Sequence, residues 1–289
     1  HGIHGVMDMC SLLRRYGKQY AIAAGHVEHS DVIERAAGYV RAAVAAAGMD
    51  GSRVGSIGGS FDGMGDFLVS DEQMLSRFGV TVVYPKPGEL ADLVAGVSED
   101  DARREMAFDR ENCYEIAPVD AAVHMRTVKN SLAVRRWLDF NNIDAFTANF
   151  REIRPETGLQ IMPFMEACKS LARGIGYAGE GDVLTASLVG ALLKGFPTKV
   201  SFVEIFCPDW KGQRLLLSHM GEYNPNLIRG KAGMKEINFI FGEAENPVVS
   251  YGCYRGGKAV FANLYLAADG FRMLISPVEM ADVQHDNFE

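Results

Sequence analysis

The sequence has no excess of positive charge and no long apolar run. Acidic residues outnumber basic residues, 37 against 29, which gives a formal net charge of −8 and a pI of about 5.4. This balance argues against a protein that binds nucleic acid through a basic surface. No apolar run reaches the length needed to cross a bilayer, and we expect neither a membrane span nor a signal peptide in this sequence.

Cysteine is scarce, and the five cysteines show no C-x-x-C spacing. An odd number of cysteines without a framework favours reduced thiols in a cytoplasmic protein. The G-x-G-x-x-G order of a dinucleotide fingerprint is also absent. Residues 53–66 read as a short strand followed by a glycine-rich loop, which permits close backbone approach to a ligand but does not favour a nucleotide.

The overall composition is that of an ordinary globular protein, with 48% apolar and 23% charged residues. The 289 residues are enough for two or three domains and a substantial core. Strands alternating with helices between 53 and 150 predict a parallel, three-layer α/β domain, with ligands at the carboxyl ends of its strands. From residue 199 onward, short strand patterns separated by turns predict an antiparallel β domain.

The local patterns predict the following elements. Helices are predicted at 6–20, 32–47, 70–78, 119–140, 163–174 and 183–193, and residues 86–118 read as helical and charged. Strands are predicted from 53, at 80–84 and 143–150, and then at 199–206, 213–218, 235–241, 247–254, 258–265 and 270–276.

Three residues between 177 and 222 suggest a site for a divalent cation. Glu180 lies between two glycines at the start of a predicted helix that Asp182 could cap, Glu204 lies inside an apolar strand-like run, and His219 follows another such run. Two carboxylates and one imidazole suit Mn²⁺ or Mg²⁺. A lone glutamate in an apolar run is costly to bury unless something pairs with it.

Each of the three residues also has an ordinary structural explanation. The sequence around Glu180 could be only a turn before a capped helix. Glu204 could be an edge-strand carboxylate that faces water. A histidine such as His219 is more often hydrogen-bonded in the core or on the surface than bound to a metal. Spacing alone therefore leaves the metal site open.

Three sequence blocks carry a resemblance to a known family: GYAGEGD at 176–182, F-x-E at 202–204 and SHM-x-E at 218–222. In order and separation they resemble the L-arabinose isomerase branch of the arabinose/fucose isomerase superfamily. The resemblance implies that Glu180, Glu204 and His219 bind a catalytic Mn²⁺. The chain departs from the family after Glu204, where it reads IFCPDW (205–210) instead of an acidic-aromatic continuation, and this departure leaves the exact sugar open.

The resemblance also implies residues that contact the sugar. His4 matches a histidine that reaches a neighbouring subunit's active site, which implies a homo-oligomer with shared sites. Without the resemblance, His1 and His4 read as a metal-binding pair, a loop or the remnant of a tag. Met64 and Phe150 match residues that line the sugar pocket. Met64 could instead be a flexible gap filler and Phe150 a core residue.

The resemblance covers essentially the whole chain but only the middle portion of a family member, so we expect a fragment. The implied organisation is a remnant of an N-terminal α/β domain at 1–50, a central α/β domain at 51–197 and a truncated, β-rich catalytic domain at 198–289. The family's fourth metal ligand, a second histidine, is expected beyond Glu289. His285 has the wrong neighbours for that role.

The function implied by the resemblance is a metal-dependent aldose–ketose isomerase acting through a cis-enediol, with Glu180 and Glu204 exchanging acid and base duties and His219 serving only as a ligand. A fragment without its fourth ligand is expected to bind metal weakly and to show little or no activity. The alternatives are a sugar-binding relative that has lost catalysis and a different metal enzyme, such as an epimerase or an aldolase.

Overall fold

A computed structural model describes residues 2–283 of the chain. The described residues form eight α-helices: α1 (Gly2–Arg15), α2 (Val32–Met49), α3 (Asp71–Phe78), α4 (Glu89–Ala95), α5 (Glu99–Phe108), α6 (Ala121–Phe140), α7 (Phe164–Arg173) and α8 (Val183–Gly195). They also form eleven strands: β1 (Arg53–Ile57), β2 (Thr81–Val83), β3 (Tyr114–Ile116), β4 (Ala145–Ala148), β5 (Gly176–Gly179), β6 (Glu204–Asp209), β7 (Arg214–Ser218), β8 (Ala232–Glu236), β9 (Val248–Tyr251), β10 (Gly257–Ala267) and β11 (Gly270–Met280).

The central sheet has four parallel strands in the order β2-β1-β4-β5. Every residue of β4 and β5 is buried, which is the pattern of parallel strands covered on both faces. The register aligns Val54, Ala145 and Gly176 on one face and Gly55, Phe146 and Tyr177 on the other. The carboxyl ends of all four strands lie at the same edge of the sheet, where ligands bind in such folds.

Helices cover both faces of this sheet. On one face the ring of Trp137 from α6 lies so close to Gly55 that a Cβ there would be 2.6 Å from the ring. On the opposite face α8 approaches β5 through a pair of glycines, and a Cβ on Gly176 would lie 2.3 Å from the backbone nitrogen of Gly190. The predicted three-layer α/β arrangement is therefore confirmed. Helix α2 packs against the outer side of α8, where Lys194 Nζ donates to the carbonyl of Gly48 at 2.9 Å.

A buried ionic network joins α5, α6 and α7. The ammonium of Lys169 lies 2.7 Å from a carboxylate oxygen of Glu105 and 2.6 Å from one of Asp109. Arg135 lies 2.7 Å from Glu105 and 3.0 Å from Glu166. The side chains of Asp109 and Glu166 are fully buried, so their charges depend on these cations.

The remaining strands form three small sheets: β6 with β7, β10 with β11, and β3-β8-β9. The antiparallel pairs β6–β7, β8–β9 and β10–β11 confirm the predicted antiparallel character of the C-terminal region. The prediction that 86–118 is helical was wrong at β3, which pairs in parallel with β8. The charged residues around β3 give a helical pattern. The strand that pairs with β3 lies far along the sequence, so no local pattern marks the pairing.

Several predicted boundaries also differ from the structure. Helix α1 covers Gly2–Arg15 instead of 6–20, and β6 begins at Glu204 instead of 199. The predicted strand at 235–241 is replaced by β8, which ends at Glu236. The β3–β8 pairing joins residues on either side of position 197, and the domain boundaries stay predictions. Among residues 2–283, no helix combines the length and apolar character required to cross a membrane.

Candidate metal centre

Glu180 lies on a tight turn at the carboxyl edge of the central sheet. Its backbone has φ +66, and its amide donates to the carbonyl of Ala148 at 3.0 Å. The hydroxyl of Thr147 donates to the carbonyl of Gly179 at 3.1 Å and accepts from the amide of Gly181 at 2.9 Å. Strand β4 thus holds both sides of the turn, and the side chain of Glu180 projects from a fixed backbone.

Helix α8 begins directly after this turn. The side chain of Asp182 accepts a hydrogen bond from the amide of Thr185 at 2.8 Å, so Asp182 caps the helix. The predicted location of Glu180 at a capped helix N-terminus is therefore confirmed. Gly181 is needed at this point because it has φ +89 and a Cβ there would lie 2.2 Å from the carbonyl oxygen of Gly59. The turn consequently contacts the glycine-rich loop that follows β1.

The β6–β7 hairpin brings Glu204 and His219 together. Glu204 begins β6 and pairs with Ser218, the last residue of β7, so His219 follows immediately beside it. His219 Nε2 lies 3.7 Å from Glu204 Oε2. The imidazole is packed against the ring of Phe202, with ring centroids 4.8 Å apart, and only 14% of its side chain is exposed. The Glu204 side chain is 46% exposed, so this carboxylate is open to solvent.

Glu180 joins this pair to form a three-residue cluster. Glu180, Glu204 and His219 each offer one ligand atom, and these atoms all lie within 4.8 Å of one another. Burial, together with the negative charge of Glu204, raises the pKa of Glu180 above its ordinary value. The sequence-predicted trio is therefore close in space, and its two carboxylates repel each other where no cation stands between them.

A buried carboxylate lies behind the imidazole. His219 Nδ1 is 2.7 Å from Glu222 Oε2, a close charge contact whose angle falls outside that of an aligned hydrogen bond. The other oxygen, Oε1, accepts a hydrogen bond from the hydroxyl of Tyr177. A Cβ on Gly179 would lie 3.1 Å from both Glu222 Oε2 and His219 Cε1, so the end of β5 leaves room for this pair.

The charges around His219 favour its protonated form when no cation is bound. Burial alone would lower the pKa of His219, but the carboxylates of Glu222, Glu204 and Glu180 outweigh burial and raise this pKa above its ordinary value. Tyr177 is fully buried, and burial together with the charge of Glu222 raises the pKa of its phenol well above the usual range. The phenol therefore remains a neutral donor to Glu222.

The residues present fit a divalent cation. The donors are two carboxylate oxygens and one imidazole nitrogen, a set that suits Mn²⁺ and related first-row ions. Burial and the neighbouring charge of Glu204 both raise the pKa of Glu180, and a cation between the two carboxylates would relieve their repulsion. The contact between Glu222 and the far nitrogen of His219 is the arrangement commonly found behind metal-binding histidines.

Comparison with known proteins identifies the family. Residues 63–194 match the L-arabinose isomerase central domain, and residues 199–288 match the L-arabinose isomerase C-terminal domain, so the two matches together cover most of the chain. The chain belongs to the L-arabinose isomerase family. This result confirms the resemblance carried by the three sequence blocks.

Individual members of the family are distant in sequence. The chain is 25% identical to the L-arabinose isomerases of Shigella dysenteriae serotype 1 and Escherichia coli K12 over 298 aligned positions, gaps included. It is 26% identical to that of Klebsiella pneumoniae strain 342 over 299 aligned positions. Each match covers 98% of this chain and 58% of the relative. The chain thus spans little more than half the length of these relatives.

The two residues predicted to line a sugar pocket lie near the same sheet edge. Met64 is 38% exposed and precedes a short 3₁₀ turn containing Asp66, whose charge contributes to the raised pKa of Glu180. Phe150 is half-buried after β4 and packs against Phe61 at 5.2 Å between ring centroids. Phe150 also contacts the main hydrophobic core, so its core and pocket interpretations both stay open.

A polar cavity of about 380 Å³ opens beside this edge. Its lining includes Ser60 and Asn149, which are joined by a hydrogen bond of 3.1 Å from the Asn149 side chain to the Ser60 carbonyl. Because Gly181 contacts Gly59 and Ser60, the cavity adjoins the turn that carries Glu180. Asn149 and Phe150 thus lie at the carboxyl edge, as the sequence predicted.

The remaining sequence-predicted histidines are not part of this cluster. His4 lies on α1, a helix with no buried side chain. Its contact with the active site of a neighbouring subunit would require a second copy of the chain and stays a prediction. His1 and His285 lie outside the described residues. The residues His26, Glu28 and His29 form a second group of possible ligands within 4.8 Å of one another, but all three are exposed on the loop between α1 and α2.

Sequence reasoning missed three residues that support the centre: Thr147, Tyr177 and Glu222. Tyr177 and Glu222 both stand inside the blocks that carried the resemblance, but neither was given a role. A signal existed for Glu222, since an acid three residues after a candidate ligand can reach the same histidine. Thr147 gave no such signal, because its hydrogen bonds to the Glu180 turn depend on the alignment of β4 with β5.

Proposed function

We propose that the protein carrying this chain is a metal-dependent aldose–ketose isomerase similar in reaction to the L-arabinose isomerases. The observation that carries the proposal is the meeting of Glu180, Glu204 and His219, from two separate parts of the chain, with ligand atoms within 4.8 Å. The membership of the chain in the L-arabinose isomerase family supports the reaction class.

Glu180, Glu204 and His219 would hold the cation, which we take to be Mn²⁺ because the donor set combines hard oxygens with one nitrogen. When bound, a divalent cation orients the sugar oxygens and stabilises the negative charge that develops on them. His219 contributes a neutral imidazole nitrogen and takes no part in proton transfer. Glu180, on its fixed turn, sets the position of the site relative to the sheet.

The two carboxylates would carry out the proton transfer. One takes the proton from C2 of the open-chain aldose and returns it to C1, while the hydroxyl proton on O2 moves to O1, so that a cis-enediol lies between aldose and ketose. Burial and the charge of Glu204 raise the pKa of Glu180, which favours this residue as the acid of the pair. Glu204 is more exposed and lies across the cluster from it.

The substrate would be a monosaccharide bound at the carboxyl edge of the sheet. The polar cavity beside Ser60 and Asn149 supports a hydroxyl-rich ligand. Met64 and Phe150 do not line this cavity, and their contact with the sugar is proposed from the family resemblance alone. We propose a homo-oligomer in which His4 reaches a neighbouring site. The exposed apolar side chains of α1, among them Ile3, Met7 and Leu12, support contact with another chain.

The five cysteines are all free in the structure. Free thiols, two of them on partly or wholly buried sites in the predicted central domain, suit a reducing compartment. We therefore propose that the protein acts in the cytoplasm.

The test is metal-dependent turnover by the full polypeptide that carries these residues. After treatment with EDTA, activity on a panel of aldoses should return with Mn²⁺, and NMR in D₂O should show deuterium at C1 or C2 of the sugar. Glu180→Gln and Glu204→Gln should each abolish turnover while the fold is kept, whereas the exposed loop variant Glu243→Gln should behave as wild type.

Near-wild-type turnover in either cluster variant would contradict the proposal. Sugar binding without turnover by the wild-type polypeptide would instead favour a relative that has lost catalysis. Exchange at a carbon other than C1 or C2 would favour an epimerase or an aldolase on the same scaffold.

A further inference from the structure

We infer that Glu222, held by Tyr177, is a positioning residue that fixes the imidazole of His219 for the cation. The inference rests on the proposed function, because it assigns a role behind one of the three proposed ligands. Glu222 is neither a metal ligand nor a proton carrier in this proposal, because it acts only through His219.

Glu222 is built into the core instead of lying at the surface. Only 1% of it is exposed, and its two oxygens face different partners, with Oε1 accepting from the Tyr177 hydroxyl and Oε2 lying 2.7 Å from His219 Nδ1. A carboxylate buried to this degree is costly without compensating partners. The pairing with both Tyr177 and His219 therefore accounts for how an acid can occupy this position.

Tyr177 is equally constrained. It is fully buried on β5, and its ring packs edge-on against Phe146 at 4.8 Å and Phe202 at 6.3 Å between centroids. Phe202 in turn packs against the imidazole of His219 at 4.8 Å. These ring contacts hold the phenol in the core, so that its hydroxyl contacts Glu222 from one side while Phe202 packs against His219 from another.

The consequence lies in which nitrogen of His219 is available. A carboxylate beside Nδ1 favours the tautomer with its proton on Nδ1, which leaves the lone pair of Nε2 free. Nε2 is the nitrogen that lies 3.7 Å from Glu204 Oε2, on the side of the cluster. Glu222 would thus set both the direction of the ring and the nitrogen that it offers to a cation.

The decisive variant is Glu222→Gln, which keeps the shape of the side chain but can donate to Nδ1 instead of accepting from it. In metal-free protein, ¹⁵N NMR of the His219 ring at alkaline pH should show the Nδ1–H tautomer in wild type and a shift toward Nε2–H in the variant. Calorimetry of the full polypeptide with Mn²⁺ should show binding about 10- to 100-fold weaker in Glu222→Gln.

Tyr177→Phe provides a second variant if Glu222→Gln does not fold. It removes one hydrogen bond to Glu222 and should weaken Mn²⁺ binding by about 2- to 10-fold. The matched control is Tyr84→Phe, which also removes a phenol hydroxyl that donates to a carboxylate, that of Asp71 at 3.0 Å. The control should leave both the His219 tautomer and Mn²⁺ binding unchanged. If Tyr177 only packed the core, Tyr177→Phe would leave the tautomer unchanged as well.

An Nε2–H tautomer in the wild-type metal-free protein would overturn the inference, and so would Mn²⁺ binding by Glu222→Gln as tight as that of wild type. Wild-type protein that binds no Mn²⁺ would overturn the proposed function. In that case the tautomer in wild type and in Glu222→Gln would still decide whether Glu222 fixes the imidazole.

Discussion

Replacing Glu180 with glutamine should make the metal-free protein more stable in alkaline solution. The carboxylate of Glu180 has a ligand atom within 4.8 Å of the one that Glu204 offers, and burial together with this charge raises the pKa of Glu180. Glutamine keeps the size and shape of the side chain but removes its charge. The substitution therefore removes a repulsion without opening a cavity.

The size of the effect follows from the separation and the exposure. Two unit charges 4.8 Å apart repel each other by about 1 kcal/mol in water and by about 3.5 kcal/mol at an effective dielectric constant of about 20. Because the Glu204 side chain is 46% exposed, solvent screens the pair and the lower value applies. We expect Glu180→Gln to raise the free energy of unfolding by about 1 kcal/mol.

The sign of the pH dependence follows from the raised pKa. Between the unfolded and folded pKa values of Glu180, the folded protein binds more protons than the unfolded chain, so its stability falls as the pH rises through this window and stays lower above it. At acid pH the carboxyl is neutral and the variant should match wild type. His219, whose pKa is also raised, partly compensates Glu180 while protonated, so the difference is largest where the imidazole is neutral.

The assay is urea unfolding in EDTA between pH 5 and pH 9, with Glu243→Gln as a control for loss of an exposed charge. The Glu180→Gln midpoint should exceed that of wild type at pH 9, and the two should converge toward pH 5. Equal or lower stability of Glu180→Gln at pH 9 would refute the reasoning. In the full polypeptide at pH 7.5, saturating Mn²⁺ should reverse the order, because a ligand that binds only the intact cluster stabilises wild type.

Three further predictions concern the fold around the site, each measured by urea unfolding. Gly176→Ala should destabilise the protein by roughly 1–3 kcal/mol or more, because the added Cβ would lie 2.3 Å from the Gly190 nitrogen. Its control, Gly38→Ala in α2, should stabilise the protein by about 0.5–1 kcal/mol, because the added Cβ would have no atom within 4 Å. Lys169→Met should cost about 3–5 kcal/mol, because it leaves the buried Asp109 unpaired. Asp182→Ala should cost about 1 kcal/mol through loss of the cap on α8.

The central sheet was predictable because its elements depend on local pattern. Strands β4 and β5 are continuous buried runs, and α6 and α8 have apolar faces of helical length that end at glycine or asparagine turns. Strand β3 was not predictable in the same way. Its three residues lie within a charged segment, and the chain that pairs with them follows more than a hundred residues later, so only the folded structure brings the partner.

In the candidate site, too, some features follow from local sequence and others only from distant pairing. The residue types and the wording of three blocks indicated Glu180, Glu204 and His219, but their meeting depends on the hairpin that pairs Glu204 with Ser218. A shift of that pairing by one residue would turn side chains to the other face and separate the donors. The role of Glu222 was hidden for a similar reason: three residues from His219, its side chain could point inward or outward, and burial decides it.

Glu180 is the residue at which local stability and the proposed function conflict most plainly. Its backbone has φ +66, a conformation that costs a residue with a side chain roughly 1 kcal/mol or more, and glycines stand on both sides of it. Its charge faces Glu204 at a further cost. A glycine at this position would remove both terms, and neither the hydrogen bond to Ala148 nor the cap of α8 requires the carboxylate. A cation held by Glu180, Glu204 and His219 would offset both costs, which is the physical reason for assigning Glu180 to the metal centre.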